Sequence, residues 1–171
     1  MEVKNQKPEL LYNNDDVKVL KGPNGNLCID YNLDVKIAVL PYITNDDGSH
    51  KFILEKKINE VRYNEFYTLL QGYETKGDGN TLSTVERIVS ENTNLTITDG
   101  AEWSFLGDLY LSENSNEVVL LFGVGMNKLS LSNKETTKQI SIVSADKLVQ
   151  NNESIVKSAY LGFIYMIKNK K

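Results

Sequence analysis

Cys28 is the only cysteine and His50 the only histidine, which leaves carboxylates as the main candidates for catalysis or metal binding. One cysteine cannot close an intramolecular disulfide and supplies too few ligands for a cysteine-based zinc site. A Ser-His-Asp triad would have to use His50, which follows the Gly- and Asp-rich run Asn45-Asp46-Asp47-Gly48 and reads as a solvated loop residue. The acids with suggestive placement are Asp78, on a glycine-bearing loop, and Glu86 and Glu91, which flank Arg87 on the segment after it; Glu117 precedes a strongly apolar run. Charges on a helix also simply face water, so Glu86 and Glu91 carry a plain solvated-surface reading beside the chemical one, and Glu117 reads equally as a strand-edge charge.

The elements that position these residues follow from hydrophobic period. Residues 81–93 place Leu82, Val85 and Val89 at helical spacing, with Asn80 or Thr81 available as cap, and predict an amphipathic helix whose apolar stripe faces a core. Before it, Val17–Leu20 and Leu27–Tyr31 flank Gly22-Pro23-Asn24-Gly25-Asn26 as a first hairpin. Val35–Ile43 and Lys51–Leu54 form a second around Asn45-Asp46-Asp47-Gly48. The unbroken run Ile37-Ala38-Val39-Leu40 predicts a central strand covered on both faces. After the helix come strands at Trp103–Leu111, Glu117–Val124 and Ile140–Val143, then a terminal amphipathic helix over Ser154–Lys168. Trp103, Tyr110 and Phe122 are expected in the core rather than stacked on a base.

With 171 residues, 40% hydrophobic and 25% charged, the chain suits one packed domain. A formal charge of -4 argues against a general nucleic-acid binder, which concentrates Lys and Arg. No stretch approaches the length of a membrane-spanning helix and residues 1–10 lack an apolar signal core, which predicts a cytoplasmic protein without membrane attachment.

The loop and helix carry a resemblance. Gly72-Tyr73-Glu74-Thr75-Lys76-Gly77-Asp78 followed by Arg87-Ile88-Val89-Ser90-Glu91-Asn92-Thr93-Asn94-Leu95 is similar to the motif G-x5-E-x7-R-E-U-x-E-E-x-G-U of the Nudix hydrolases, U being a bulky aliphatic. Gly72, Arg87, Val89, Glu91 and Leu95 match and Asp78 replaces a Glu. Ile88, Asn92 and Asn94 depart, and eight residues rather than seven separate Asp78 from Arg87. The flanks Trp103-Ser104-Phe105-Leu106-Gly107-Asp108-Leu109-Tyr110-Leu111-Ser112 and Glu117-Val118-Val119-Leu120-Leu121-Phe122 resemble the ADP-ribose pyrophosphatase branch, which also has an N-terminal β-rich appendage often used for dimerisation.

The resemblance implies an α/β fold, a Nudix-like α/β/α sandwich with a mixed β-sheet over residues 36–171 and an N-terminal β-hairpin appendage over residues 1–35. It further implies Mg²⁺ or Mn²⁺ as cofactor and a nucleoside diphosphate derivative such as ADP-ribose as substrate, with hydrolysis resting on carboxylates around the cation. The family's helix acids stand one, four and five residues after the arginine, at Ile88, Glu91 and Asn92 here. On a helical wheel these and Arg87 fall on one arc of about 140°, expected to lie opposite the Leu82, Val85 and Val89 stripe. Glu91, Arg87 and Glu117 are thus the expected catalytic residues, with Glu91, Asp78 and Glu86 as metal ligands. Arg87 orients the loop, Gly72 and Gly77 give backbone conformation or close approach, and Arg62, with Lys56 and Lys57, is available for substrate phosphates. With Ile88 and Asn92 in ligand positions, metal-dependent hydrolysis is expected to be weakened. The alternatives are a non-catalytic Nudix-like module for nucleotide sensing or protein binding, and an assembly element that dimerises through its first hairpin.

Overall fold

The computed structural model describes residues 7–14, 17–31, 35–59, 64–93, 101–111, 117–126 and 140–170. Arg62, Asn94 and Leu95 lie outside them, as does the 112–116 connection.

Four segments return alternately across a central sheet: β4 (Lys36–Thr44), β5 (His50–Asn59), β8 (Glu102–Tyr110) and β9 (Val118–Gly125). With β10 (Ile140–Ser144) they take the order β10-β5-β4-β9-β8. The β4–β9 pair is parallel and the other pairs antiparallel, so the sheet is mixed. β4 and β5 pair only over Tyr42–Thr44 and then diverge. The fork between them is filled by β6 (Asn64–Thr68), which pairs with β5, and β7 (Leu70–Tyr73), which pairs with β4. Neither β6 nor β7 was anticipated from the sequence.

Period-two alternation along β4 divides the core into two layers. Ala38, Leu40 and Tyr42 pack with Phe52, Leu54 and Leu121 beneath the helix α3 (Ser154–Asn169), whose Ile155, Val156, Ala159 and Phe163 are buried there. Ile37 and Val39 face the other way and meet α1 (Thr81–Thr93) through Val85, Ile88 and Val89. Helices cover both faces of one mixed sheet, the expected α/β/α sandwich. A short α2 (Ala145–Val149) joins β10 to α3 and buries Leu148. Leu106 bulges out of the β8–β9 register, followed by Gly107 at φ 130. A Cβ at Gly162 would collide with the Leu106 carbonyl, so α3 rests on this bulge through a glycine. Among the described residues no helix is long and apolar enough to cross a membrane.

The N-terminal element has three strands rather than two. β1 (Glu9–Asn13), β2 (Val17–Lys21) and β3 (Leu27–Tyr31) form a separate antiparallel sheet. Asn14 supports the first turn, its side chain accepting a hydrogen bond from the Val17 amide at 2.6 Å.

His50 also departs from expectation. It begins β5 rather than lying in a loop and is half-buried, its ring edge-on to Phe163 at 5.0 Å and Tyr42 at 5.9 Å. Burial lowers its pKa from 6.5, because the cation loses hydration there. Tyr110, expected in the core, is 67% exposed, whereas Phe122 is buried and Trp103 half-buried.

Candidate functional site

α1 starts where the sequence offers a cap. The Ser83 amide donates to Asn80 Oδ1 at 2.9 Å, satisfying one of the free N–H groups of the first turn. Gly79, at φ 74, makes the preceding bend in a backbone region that side chains disfavour. The loop between β7 and this cap folds around Asp78. The amide of Thr75 and the hydroxyl of Thr84 each donate to Asp78 Oδ2 at 2.9 Å, and the Asp78 amide returns a bond to the Thr75 carbonyl at 3.0 Å. Thr81 adds a bond from its hydroxyl to Glu74 at 3.2 Å.

Arg87, two turns along α1, reaches back into this loop. Its Nε donates to Asp78 Oδ1 at 2.7 Å, and Nη2 donates to Asp78 Oδ2 at 2.9 Å and to the Tyr73 carbonyl at 2.6 Å. Nη1 donates to Glu91 Oε2 at 3.1 Å, one helical turn on. The fork to Asp78 is the bidentate geometry that makes arginine–carboxylate pairs strong. Hydrogen bonds from Arg87 hold the Asp78 carboxyl well below the usual carboxylate range, and Asp78 in turn raises the guanidinium. The Asp78–Arg87 pair therefore stays charged wherever the protein is folded at ordinary pH.

Among the sequence-derived site residues, Arg87 joins Asp78 and Glu91 directly, and Gly72 lies beneath the same helix. Glu117 pairs instead with Lys36, at 3.7 Å. Lys36 is opposite Tyr73 on one side of β4 and Val119 on the other, its Nζ 5.9 Å from the centre of the Tyr73 ring. Lys36 thus connects Glu117 to the loop whose Tyr73 carbonyl Arg87 holds. Sequence reasoning missed it; its signal was its place at the start of the central strand. Glu86 is exposed and stands roughly 140° around the helix from Glu91, on a different face.

The helix face itself is corrected by the structure. Leu82 is 47% exposed, whereas Ile88 is 1% and Asn92 4% exposed, buried beside Val85 and Val89. Ile88 and Asn92 belong to the core stripe and do not oppose it. A Cβ built on Gly72 would stand 2.7 Å from Ile88 Cγ1, so the missing side chain at Gly72 makes room for Ile88. Asn92 turns its amide inward and donates from Nδ2 to the Ile88 carbonyl at 2.6 Å.

A divalent Mg²⁺ or Mn²⁺ needs several oxygen ligands, preferably anionic. Ile88 offers none and is packed on Gly72. Both Asp78 oxygens accept bonds from Arg87, and the Glu91 carboxylate, 57% exposed, is held by the same guanidinium. No group of three or more His, Cys, Asp or Glu side chains able to hold a metal ion occurs among the described residues. The side chains present here do not fit a catalytic divalent cation.

No protein-family model matches the sequence, and no curated protein matches it. Its likeness to known proteins lies in the fold. A solved ADP compounds hydrolase superposes with a TM-score of 0.63 at 15% identity, over 96% of this chain and 96% of that one. A protein of Listeria monocytogenes assigned to the NUDIX hydrolases superposes with a TM-score of 0.59 at 16% identity, over 80% of this chain and 95% of that one. These superpositions give the chain the fold of the Nudix hydrolases.

Proposed function

We propose that this protein is a Nudix-fold relative of the nucleoside diphosphate-sugar pyrophosphohydrolases in which metal-dependent hydrolysis is weakened or lost, leaving a module that binds a nucleoside diphosphate derivative of the ADP-ribose type. The reading is carried by one observation: Ile88, at a position where the family places a metal-binding acid, is buried against Gly72. The fold shared with an ADP compounds hydrolase supports the ligand class. Activity in this fold is set by the site rather than the scaffold, and this site keeps its orienting arginine while losing its carboxylate cluster. Calorimetric titration of ADP-ribose and related nucleoside diphosphate derivatives in EDTA tests the reading. Saturable binding of at least one supports it, and absence of binding across the panel, with or without Mg²⁺, overturns it.

We assign residues 1–35 to an appendage and residues 36–171 to the Nudix-fold domain, in a cytoplasmic homodimer formed through the appendage. The support is apolar exposure: Leu10 and Tyr12 are each 54% exposed, Leu11 49% and Leu27 54%, an unusual density for a solvent-facing three-stranded sheet. Sedimentation at micromolar concentration should give a dimer for the full chain and a monomer for Leu10→Lys with Tyr12→Lys. A monomeric wild type contradicts the assignment.

A further inference from the structure

We infer that the Arg87 guanidinium is the resident cation of the 72–93 loop and helix, and that this junction binds neither Mg²⁺ nor Mn²⁺. The inference concerns the same site as the proposed function and rests on that reading for its identification. Four oxygens from three residues converge on Arg87: the Tyr73 carbonyl at 2.6 Å, both oxygens of Asp78 at 2.7 and 2.9 Å, and Glu91 Oε2 at 3.1 Å. Carboxylates and a main-chain carbonyl are the donor set a hard divalent ion selects. In this chain those oxygens face N–H groups fixed in the planar fork of a guanidinium, which is charged at every accessible pH.

Entry of a metal is opposed from two sides. Along the helix, Ile88 fills the space over Gly72, and its displacement would expose a side chain that is now 1% accessible. Across the loop, an ion drawing on Asp78 would have to break the Arg87 fork together with the Thr75 and Thr84 bonds to the same carboxylate. Glu91 by itself, exposed and reached from one side, gives a single carboxylate, which is too little to hold Mg²⁺ away from its water shell.

The test uses the full chain with the metals alone. Mn²⁺ is titrated calorimetrically into wild type and Glu91→Gln, and thermal unfolding is followed in Mg²⁺, Mn²⁺ and EDTA for wild type, Arg87→Lys and Arg87→Met. The expected result is no saturable heat that depends on Glu91, a wild-type Tm equal in metal and in EDTA, and Tm values falling from wild type through Arg87→Lys to Arg87→Met that neither metal restores. Should Arg87→Met fail to fold, Arg87→Lys and Glu91→Gln carry the comparison. A saturable Mn²⁺ heat abolished by Glu91→Gln, or recovery of an Arg87 variant's Tm by metal, overturns the inference. ADP-ribose binding in EDTA is measured separately, so a failure of the functional reading leaves the metal result standing, and the reverse.

Discussion

Gly72 lies so close beneath Ile88 that a Cβ on it would stand 2.7 Å from Ile88 Cγ1 and 3.1 Å from Cδ1. The two residues make one apolar contact between β7 and α1, at the point where the loop held by Arg87 begins. Ile88 is fully surrounded and cannot swing aside, so Gly72→Ala should destabilise the protein by about 1–3 kcal/mol through overpacking. Ile88→Ala should cost about 2–5 kcal/mol through the cavity it leaves. Because the second change removes the atoms that the new methyl meets, the double variant should lose clearly less than the sum, a coupling of about 0.5–3 kcal/mol by urea denaturation. Additive losses would mean that the two side chains do not touch.

Restoring acids to the helix should not restore a metal site. The family's helix acids fall at Ile88 and Asn92 beside Glu91, so Ile88→Glu with Asn92→Glu is the change that would rebuild the acid set if those positions faced solvent. Both positions are buried instead, and unpaired carboxylates there should cost at least about 3–5 kcal/mol, a large part of the stability of a small domain. The expected outcome is a much lower urea midpoint or an unfolded chain by circular dichroism, unchanged by millimolar Mn²⁺. A variant that folds as well as wild type would place Ile88 and Asn92 outside the core.

How far the sequence could be read is clearest on α1 itself. Its ends were legible because Asn80 is a capping residue and the apolar spacing begins directly after it. Its buried face departs from the expectation because the arc from Arg87 to Asn92 does not oppose the stripe: its Asn92 end lies about 20° from Val85. Measured from Val85, Val89 lies about 40° to one side and Asn92 and Ile88 about 20° and 60° to the other, which is a single stripe. Leu82 sits at the edge of that stripe in the first turn and overhangs into solvent. β6 and β7 were hidden because one strand serves two partners and breaks at Leu69, so neither half has a full alternating run. The signal for β1 is Asn13-Asn14 between two apolar stretches, a turn composition. The resemblance implies that Arg87 orients the loop and gives Asp78 as a metal ligand, so the pairing of the two is visible only in the structure; the Lys36–Glu117 pair needed the parallel β4–β9 register, which nothing local encodes.

Acid should act on the loop through Asp78. Its folded pKa is depressed from 3.8, chiefly by Arg87, so the unfolded chain takes up this proton first as pH falls. The stabilisation is complete above about pH 4 and is lost as pH drops through the depressed folded value. Asp78→Asn should lower the urea midpoint at neutral pH and flatten its decline below pH 4. An unchanged acid profile in the variant would remove Asp78 from the account.

His50 adds a separate window nearer neutrality. Burial against Phe163 and Tyr42 lowers its folded pKa from 6.5, so the unfolded state protonates first and stability falls as pH drops from 6.5 toward the folded value. His50→Phe should keep the edge-on ring contacts and remove this part of the pH dependence. Thermal unfolding of wild type and variant across this range checks it, and parallel curves would count against the assignment.

The proposal that metal-dependent hydrolysis is weakened or lost on this Nudix fold is tested most directly by single-turnover hydrolysis of ADP-ribose. With protein in excess over substrate, and Mg²⁺, Mn²⁺ or EDTA in the buffer, the account predicts AMP formation no faster in metal than in EDTA. AMP formation that requires Mg²⁺ or Mn²⁺ and falls at least about a hundredfold, some 2.7 kcal/mol of transition-state stabilisation, in Glu91→Gln would contradict it.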